Sequence, residues 1–195
     1  MGDTLIHRGP DNGHLWVSND GQVGFAHRRL SIIDLSENAD QPMTRSSRFT
    51  IVYNGEIYNY IELKKDLEAK GYQFKTKSDT EVLLALFEDQ GSNCLQCIDG
   101  MFAFAIWDEE KKELFLARDR FGEKPLYYCI QHDVFYFASE MKALFSIGLP
   151  KNISQERIFK YLQSNVLIDE EDLESTFYTG IRQLDAACFL RIKNA

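Results

Sequence analysis

From residue 15 to 53 short apolar stretches alternate with polar punctuation: LWVS, QVGFAH, LSIID and then FTIVY. A period of two, with Phe49, Ile51 and Tyr53 on one face, predicts β-strands. The period changes at residue 59. In NYIELKKDLEAK (59–70) Tyr60, Leu63 and Leu67 recur three and four apart, which predicts a helix with Asn59 as N-cap and Gly71 as its stop. SDTEVLLALFEDQ (78–90) predicts a second helix, opened by Ser78 and Glu81 in the form of a capping box and ended at Gly91. MFAFAIWD (101–108) and ELFLAR (113–118), joined by DEEKK, predict a buried antiparallel pair, and PLYYCI (125–130) with VFYFAS (134–139) repeats it. SEMKALFSIG (139–148) reads as helical and stops before Pro150, and a polar helix follows around 154–164. The acidic DEEDLES (169–175), with nothing basic beside it, reads as a solvated loop or an exposed helix face. Strand groups separated by helices, without βαβ alternation, predict an α+β fold of mainly antiparallel sheets. No linker or repeat divides the chain, so residues 1–195 form one domain.

Composition narrows the function classes. Apolar residues are 44% and charged residues 27%, the balance of a globular domain. A net charge of −8 with no Lys/Arg block leaves no electrostatic footprint for nucleic acid. No apolar run reaches the roughly 20 residues of a membrane helix, and the first residues lack a signal-peptide core, so the cytoplasm is expected. The four cysteines show no disulfide framework. Cys94 and Cys97 have the spacing of half a metal site, but no second pair exists and the histidines are scattered, so no metal is expected.

Taken singly, the polar motifs are bland. Asn54-Gly55 after an extended apolar run is the strongest short signal for a two-residue hairpin turn. Asp79 would serve as a helix cap, His7 to Asp11 as a turn around Gly-Pro, and Arg118-Asp119-Arg120 as a surface ion network. Their order changes the picture. HRGPD (7–11), AHRRLSIID (26–34), QP (41–42), NGEIYN (54–59), SDTEVLL (78–84), GMFAFAIWD (100–108), RDRFGEKPLYY (118–128), FASEMKAL (137–144) and FYTGIRQL (177–184) run through nearly the whole chain. In that order they resemble the glutaminase domain of the glutamine-dependent asparagine synthetases, a class II glutamine amidotransferase.

The resemblance implies an N-terminal-nucleophile (Ntn) hydrolase fold, a four-layer αββα sandwich, with its first strand and helix missing here. It implies hydrolysis of glutamine to glutamate and ammonia by an N-terminal cysteine, through a thioester. The ammonia would pass to a C-terminal synthetase domain that amidates aspartate with ATP and Mg; the glutaminase domain itself needs no cofactor. Glutamine, that synthetase domain and a second copy of the chain are the implied partners, with no nucleic acid and no membrane. Position by position, Asn54 and Gly55 match the oxyanion hole, one through its amide and the other through its backbone N–H. Arg29 matches the clamp on the substrate α-carboxylate, and Glu56 and Asp79 match the groups that hold its α-ammonium. Arg28 reads as a solvated neighbour.

Three departures qualify this. HRGPD begins at residue 7, where the family has several tens of residues before it, and all four cysteines are internal. The nucleophile is therefore absent, and the chain alone is expected to be inactive. No Ser-Gly-Gly-x-Asp-Ser loop for ATP is present, and LDAACFL (184–190) replaces the family's Leu-Pro-Pro-Gly-His junction. A fragment of a longer asparagine synthase is the first expectation. The alternatives are a non-catalytic glutamine-binding or protein-interaction module, and an amidotransferase for another carboxylate such as a sugar acid in polysaccharide biosynthesis.

Overall fold

The computed structural model describes residues 1–30, 33–169 and 171–193. Its centre is a five-stranded antiparallel sheet. The strands are β3 (Met43–Arg45), β4 (Phe49–Ile57), β5 (Gly100–Asp108), β6 (Glu113–Arg118) and β10 (Phe189–Lys193), in the order β10-β6-β5-β4-β3. β5 is buried from Phe102 to Asp108, as a central strand covered on both faces must be.

One face of this sheet packs against helices α1 (Tyr60–Ala69) and α2 (Asp79–Gln90), around Ile51, Tyr53, Leu83, Leu86, Phe104 and Phe115. α2 is buried from Asp79 to Phe87, so it has no solvated stripe in its first two turns. The other face packs against a second β layer in two pieces. β1 (Asn12–Val17) pairs with β2 (Gly24–Arg29), while β7 (Tyr127–Gln131) lies between β8 (Val134–Ala138) and β9 (Arg182–Gln183). Val52, Ala105, Trp107 and Leu116 fill this interior, and Phe25 meets Phe137 across the two pieces at 5.9 Å. The short helix α3 (Met141–Phe145) and the chain's first residues close the far side, against Cys129, Ala138 and Ile181. α4 (Gln155–Ser164) follows, with a Ser154 cap. The α+β, four-layer arrangement is thus present.

Several local expectations change. Asn54 and Gly55 are not a turn: they lie inside β4, paired with Ala103 and Phe102 of β5. The two-residue hairpin with positive φ at both positions is His132-Asp133, between β7 and β8. Asn59 holds the N-cap position of α1 as expected, but its side chain makes no capping bond and instead bonds Cys97 O and Asp99 N. Ser78 caps α2 by accepting from Glu81 N, but Glu81 does not reciprocate; its carboxylate accepts from the N–H groups of Lys75 and Thr76. Asp79 is the first helical residue and not the cap. The strand expected at 30–34 is absent at Leu30, Ile33 and Asp34, and Ser31 and Ile32 lie outside the described residues.

The acidic stretch 169–175 is not simply solvated either. Asp169 is buried between Arg157 and Lys160 of α4, and Asp172 and Glu174 pair with Arg182. Those bases arrive from elsewhere in the chain, which a local charge reading cannot register. Arg28 pairs with Asp3. Asp119 is no surface ion partner: only 1% exposed, it accepts hydrogen bonds from four backbone N–H groups.

Candidate active site

β4 carries the site because of its alternation. Ile51, Tyr53 and Ile57 point toward the helices, so Val52, Asn54 and Glu56 point the other way, between the sheets. There Arg29, Asn54, Gly55, Glu56 and Asp79 all border one cavity of about 520 Å³, within the size range of small-molecule sites. Residues from β2 and β8 also line it, and among the described residues each of these strands is paired along one edge only.

Backbone hydrogen bonding explains how Gly55 faces the cavity. Tyr53 N donates to Gln41 Oε1 at 2.6 Å, Tyr53 O lies 3.2 Å from His27 Nε2, and Ile57 N donates to Asp79 Oδ2 at 3.1 Å. These groups all lie on the β4 edge that faces away from β5. Gly55 alternates with them, so its N–H belongs to the same edge. Its partner Phe102 confirms the parity by bonding Asp119 through both N and O. Gly55 and Phe102 are therefore a non-hydrogen-bonded pair, the closely spaced kind. A Cβ on Gly55 would fall 2.2 Å from Met101 O, so the residue is required by strand approach and not by turn geometry.

Asn54 Nδ2 is buried and has no partner among the described residues. The adjacent Glu56 carboxylate makes no hydrogen bond or ion pair among them either. Asp79 is different: its Oδ2 accepts from Tyr53 Oη at 2.8 Å as well as from Ile57 N. Burial raises the Asp79 carboxyl above its ordinary range, opposed by those hydrogen bonds, and burial beside Asp79 raises the Tyr53 phenol. Arg29 ends β2 with its guanidinium bonded to Ser36 O at 2.8 Å and to Asp40 Oδ1 at 2.5 Å, and also to Asp34 O. Burial pushes the Asp40 carboxyl up, but hydrogen bonds from Arg29, His14 and Asn12 outweigh it and hold the group below its usual value.

The network that holds the strand edge was not among the residues singled out by sequence. Gln41 bridges Tyr53 N and Thr80 Oγ1, and His27 reaches Tyr53 O. Gln41 and His27 lay within the quoted QP and AHRRLSIID strings, so motif order held a signal, but nothing local showed what they touch.

Comparison with known proteins adds the family context. The model of the glutamine amidotransferase domain family matches residues 1–195. Asparagine synthetase [glutamine-hydrolyzing] 1 of Bacillus subtilis is 44% identical over 176 residues, covering 90% of this chain and 27% of the relative. A putative asparagine synthetase of Mycobacterium bovis is 38% identical over 197 residues, covering 97% of the chain and 30% of the relative. The chain thus spans less than a third of the length of these relatives. Among solved structures, the glutamine PRPP amidotransferase of B. subtilis matches 75% of this chain and 39% of its own, with a TM-score of 0.64 and 27% identity.

Proposed function

The chain belongs to the glutamine amidotransferase domain family, and on that footing we propose that its cavity binds glutamine and positions the side-chain amide for hydrolysis to glutamate and ammonia. The observation that carries this reading is a convergence of donors. Asn54 Nδ2, buried without an acceptor among the described residues, and the N–H of Gly55, on the cavity edge of β4, supply the two donors an oxyanion needs. Glu56 and Asp79 bring negative charge to the same cavity for the α-ammonium, and Arg29 brings positive charge for the α-carboxylate. Asp40 and the carbonyls of residues 34 and 36 fix the Arg29 fork.

In this reading a cysteine thiol passes its proton to the cysteine's own α-amino group and attacks the amide carbon, and the tetrahedral oxyanion sits between Asn54 and Gly55. That proton goes to the departing nitrogen, so that ammonia leaves as the thioester forms, and water then cleaves the thioester to glutamate. None of Cys94, Cys97, Cys129 and Cys188 borders the cavity, so this reading takes its thiol from a residue other than these four. An extended segment entering between the unpaired edges of β2 and β8 would join the two pieces of the second β layer and carry its first residue to the site. ATP and Mg would be bound by a synthetase domain, also outside this chain, which would use the ammonia to amidate aspartate in the cytoplasm. No described helix is long and apolar enough to cross a membrane. A second copy of the chain is a further proposed partner.

A second reading, a glutamine-binding module without catalysis, is favoured by one observation: the binding residues are assembled around a cavity that none of the four cysteines borders. Ammonia release separates the two. The chain as it stands is expected to release none from glutamine. A version extended by the strand and helix that the family resemblance implies, and beginning with cysteine, is expected to release it, and Asn54→Ala in that version to slow release about 10²- to 10³-fold. Release by the unextended chain, or indifference of the extended one to Asn54→Ala, would contradict the catalytic reading.

A further inference from the structure

Two buried side-chain atoms of residues that line the cavity lack partners among the described residues, and their characters are opposite. Asn54 Nδ2 is a donor; the other is His27 Nδ1. The character of Nδ1 follows from the other ring nitrogen. His27 Nε2 lies 3.2 Å from Tyr53 O, and a backbone carbonyl can only accept, so Nε2 carries the proton and Nδ1 is a bare acceptor. Burial also pushes the His27 pKa down to about 4, which keeps the ring neutral near pH 7. Tyr53 directly precedes Asn54, so the two unpartnered atoms belong to side chains joined by one hydrogen bond and one peptide unit.

A donor and an acceptor on two residues that line one cavity complement a primary carboxamide inserted between them, which offers one carbonyl oxygen and one NH₂ group. They do not complement a carboxylate, whose two oxygens would set a lone pair against Nδ1. We propose that His27 selects the substrate amide by accepting one of its N–H groups at Nδ1, so that the site favours a primary amide over the carboxylate of its hydrolysis product. This rests on the glutamine reading given above. It also assigns a role to a buried imidazole that the hydrolytic steps do not use. An unmade hydrogen bond in such a site is where polar discrimination becomes large.

The test uses the chain with ¹⁵N-labelled histidine. Butyramide and butyrate, the side-chain ends of glutamine and glutamate, are added separately while the His27 ring resonances are followed. The expected result is an unprotonated Nδ1 in the free protein whose resonance moves with butyramide and not with butyrate. Two variants separate the ring nitrogens. His27→Gln can keep a donor on Tyr53 O but places no acceptor at Nδ1, and should lower the amide-over-acid binding ratio at least tenfold. His27→Asn, with an acceptor near Nδ1, should largely keep that ratio. A protonated Nδ1, a resonance indifferent to butyramide, or a wild-type ratio in His27→Gln would overturn the proposal. A butyramide response without glutamine binding would overturn the α-amino-acid reading of the site and leave His27 in place; glutamine binding without a response at Nδ1 would do the reverse.

Discussion

Gly55→Ala is expected to destabilise the domain by about 3 kcal/mol or more, the upper part of the range for overpacked cores. The new methyl would lie 2.2 Å from Met101 O and 2.8 Å from both Phe102 Cα and Tyr53 Cε2. Two of those three atoms are backbone, so β4 and β5 would have to part where they pair. The same shift would move the Gly55 N–H from the cavity edge. Gly71→Ala is the control. Gly71 has a φ of +95° but nothing within 4 Å of a built Cβ, so only conformational strain applies and the loss should be about 1 kcal/mol. Urea denaturation of both variants checks this; equal losses would mean that close strand approach does not dictate glycine at 55.

Asp119→Ala is expected to cost about 3–4 kcal/mol, because hydrogen bonds to a charged acceptor are worth about 1.5–3 kcal/mol each and buried donors left unpaired are penalised. Asp119 Oδ1 accepts from Phe121 N and Glu123 N, and Oδ2 accepts from Phe102 N and Lys124 N. Asp119→Asn should lose nearly as much, since its amide would set a donor against two of these donors. Burial pushes the Asp119 carboxyl up, but the four N–H groups together hold it below its ordinary value. A depressed folded-state pKa makes this contribution fully present above the unfolded value near 4 and lost as pH falls below it. Thermal or urea melts should therefore show the gap between wild type and Asp119→Asn closing below pH 4, and a gap that stays constant to pH 2 would contradict the assignment.

Where period and punctuation carry the information, the chain is legible. α1, α2 and the β5–β6 and β7–β8 hairpins follow from apolar spacing, since each buries a face that must repeat at its own period. Asn54-Gly55 misleads because two physical demands select the same residues. A type I′ turn needs glycine for positive φ, and this strand needs it for a close non-hydrogen-bonded pair with Phe102. Only the pairing tells them apart. The turn itself falls at His132-Asp133, where composition gives little signal. At the site, motif order brought forward Arg29, Asn54, Gly55, Glu56 and Asp79, which share one cavity. The contacts that hold them were invisible in sequence: Tyr53 meets Asp79 across 26 residues and Gln41 across 12, separations that only the sheet and α2 close.

That the cavity is a glutamine site is tested most directly by calorimetric titration of the chain with L-glutamine, alongside Glu56→Gln. Glu56 borders the cavity and makes no hydrogen bond or ion pair among the described residues, so its amide should leave the fold intact while removing a charge from the ammonium subsite. The expected result is one site with a Kd below 1 mM, a binding free energy beyond about −4 kcal/mol, weakened at least tenfold in Glu56→Gln. Absence of binding at millimolar glutamine, or equal affinity in the variant, would contradict it.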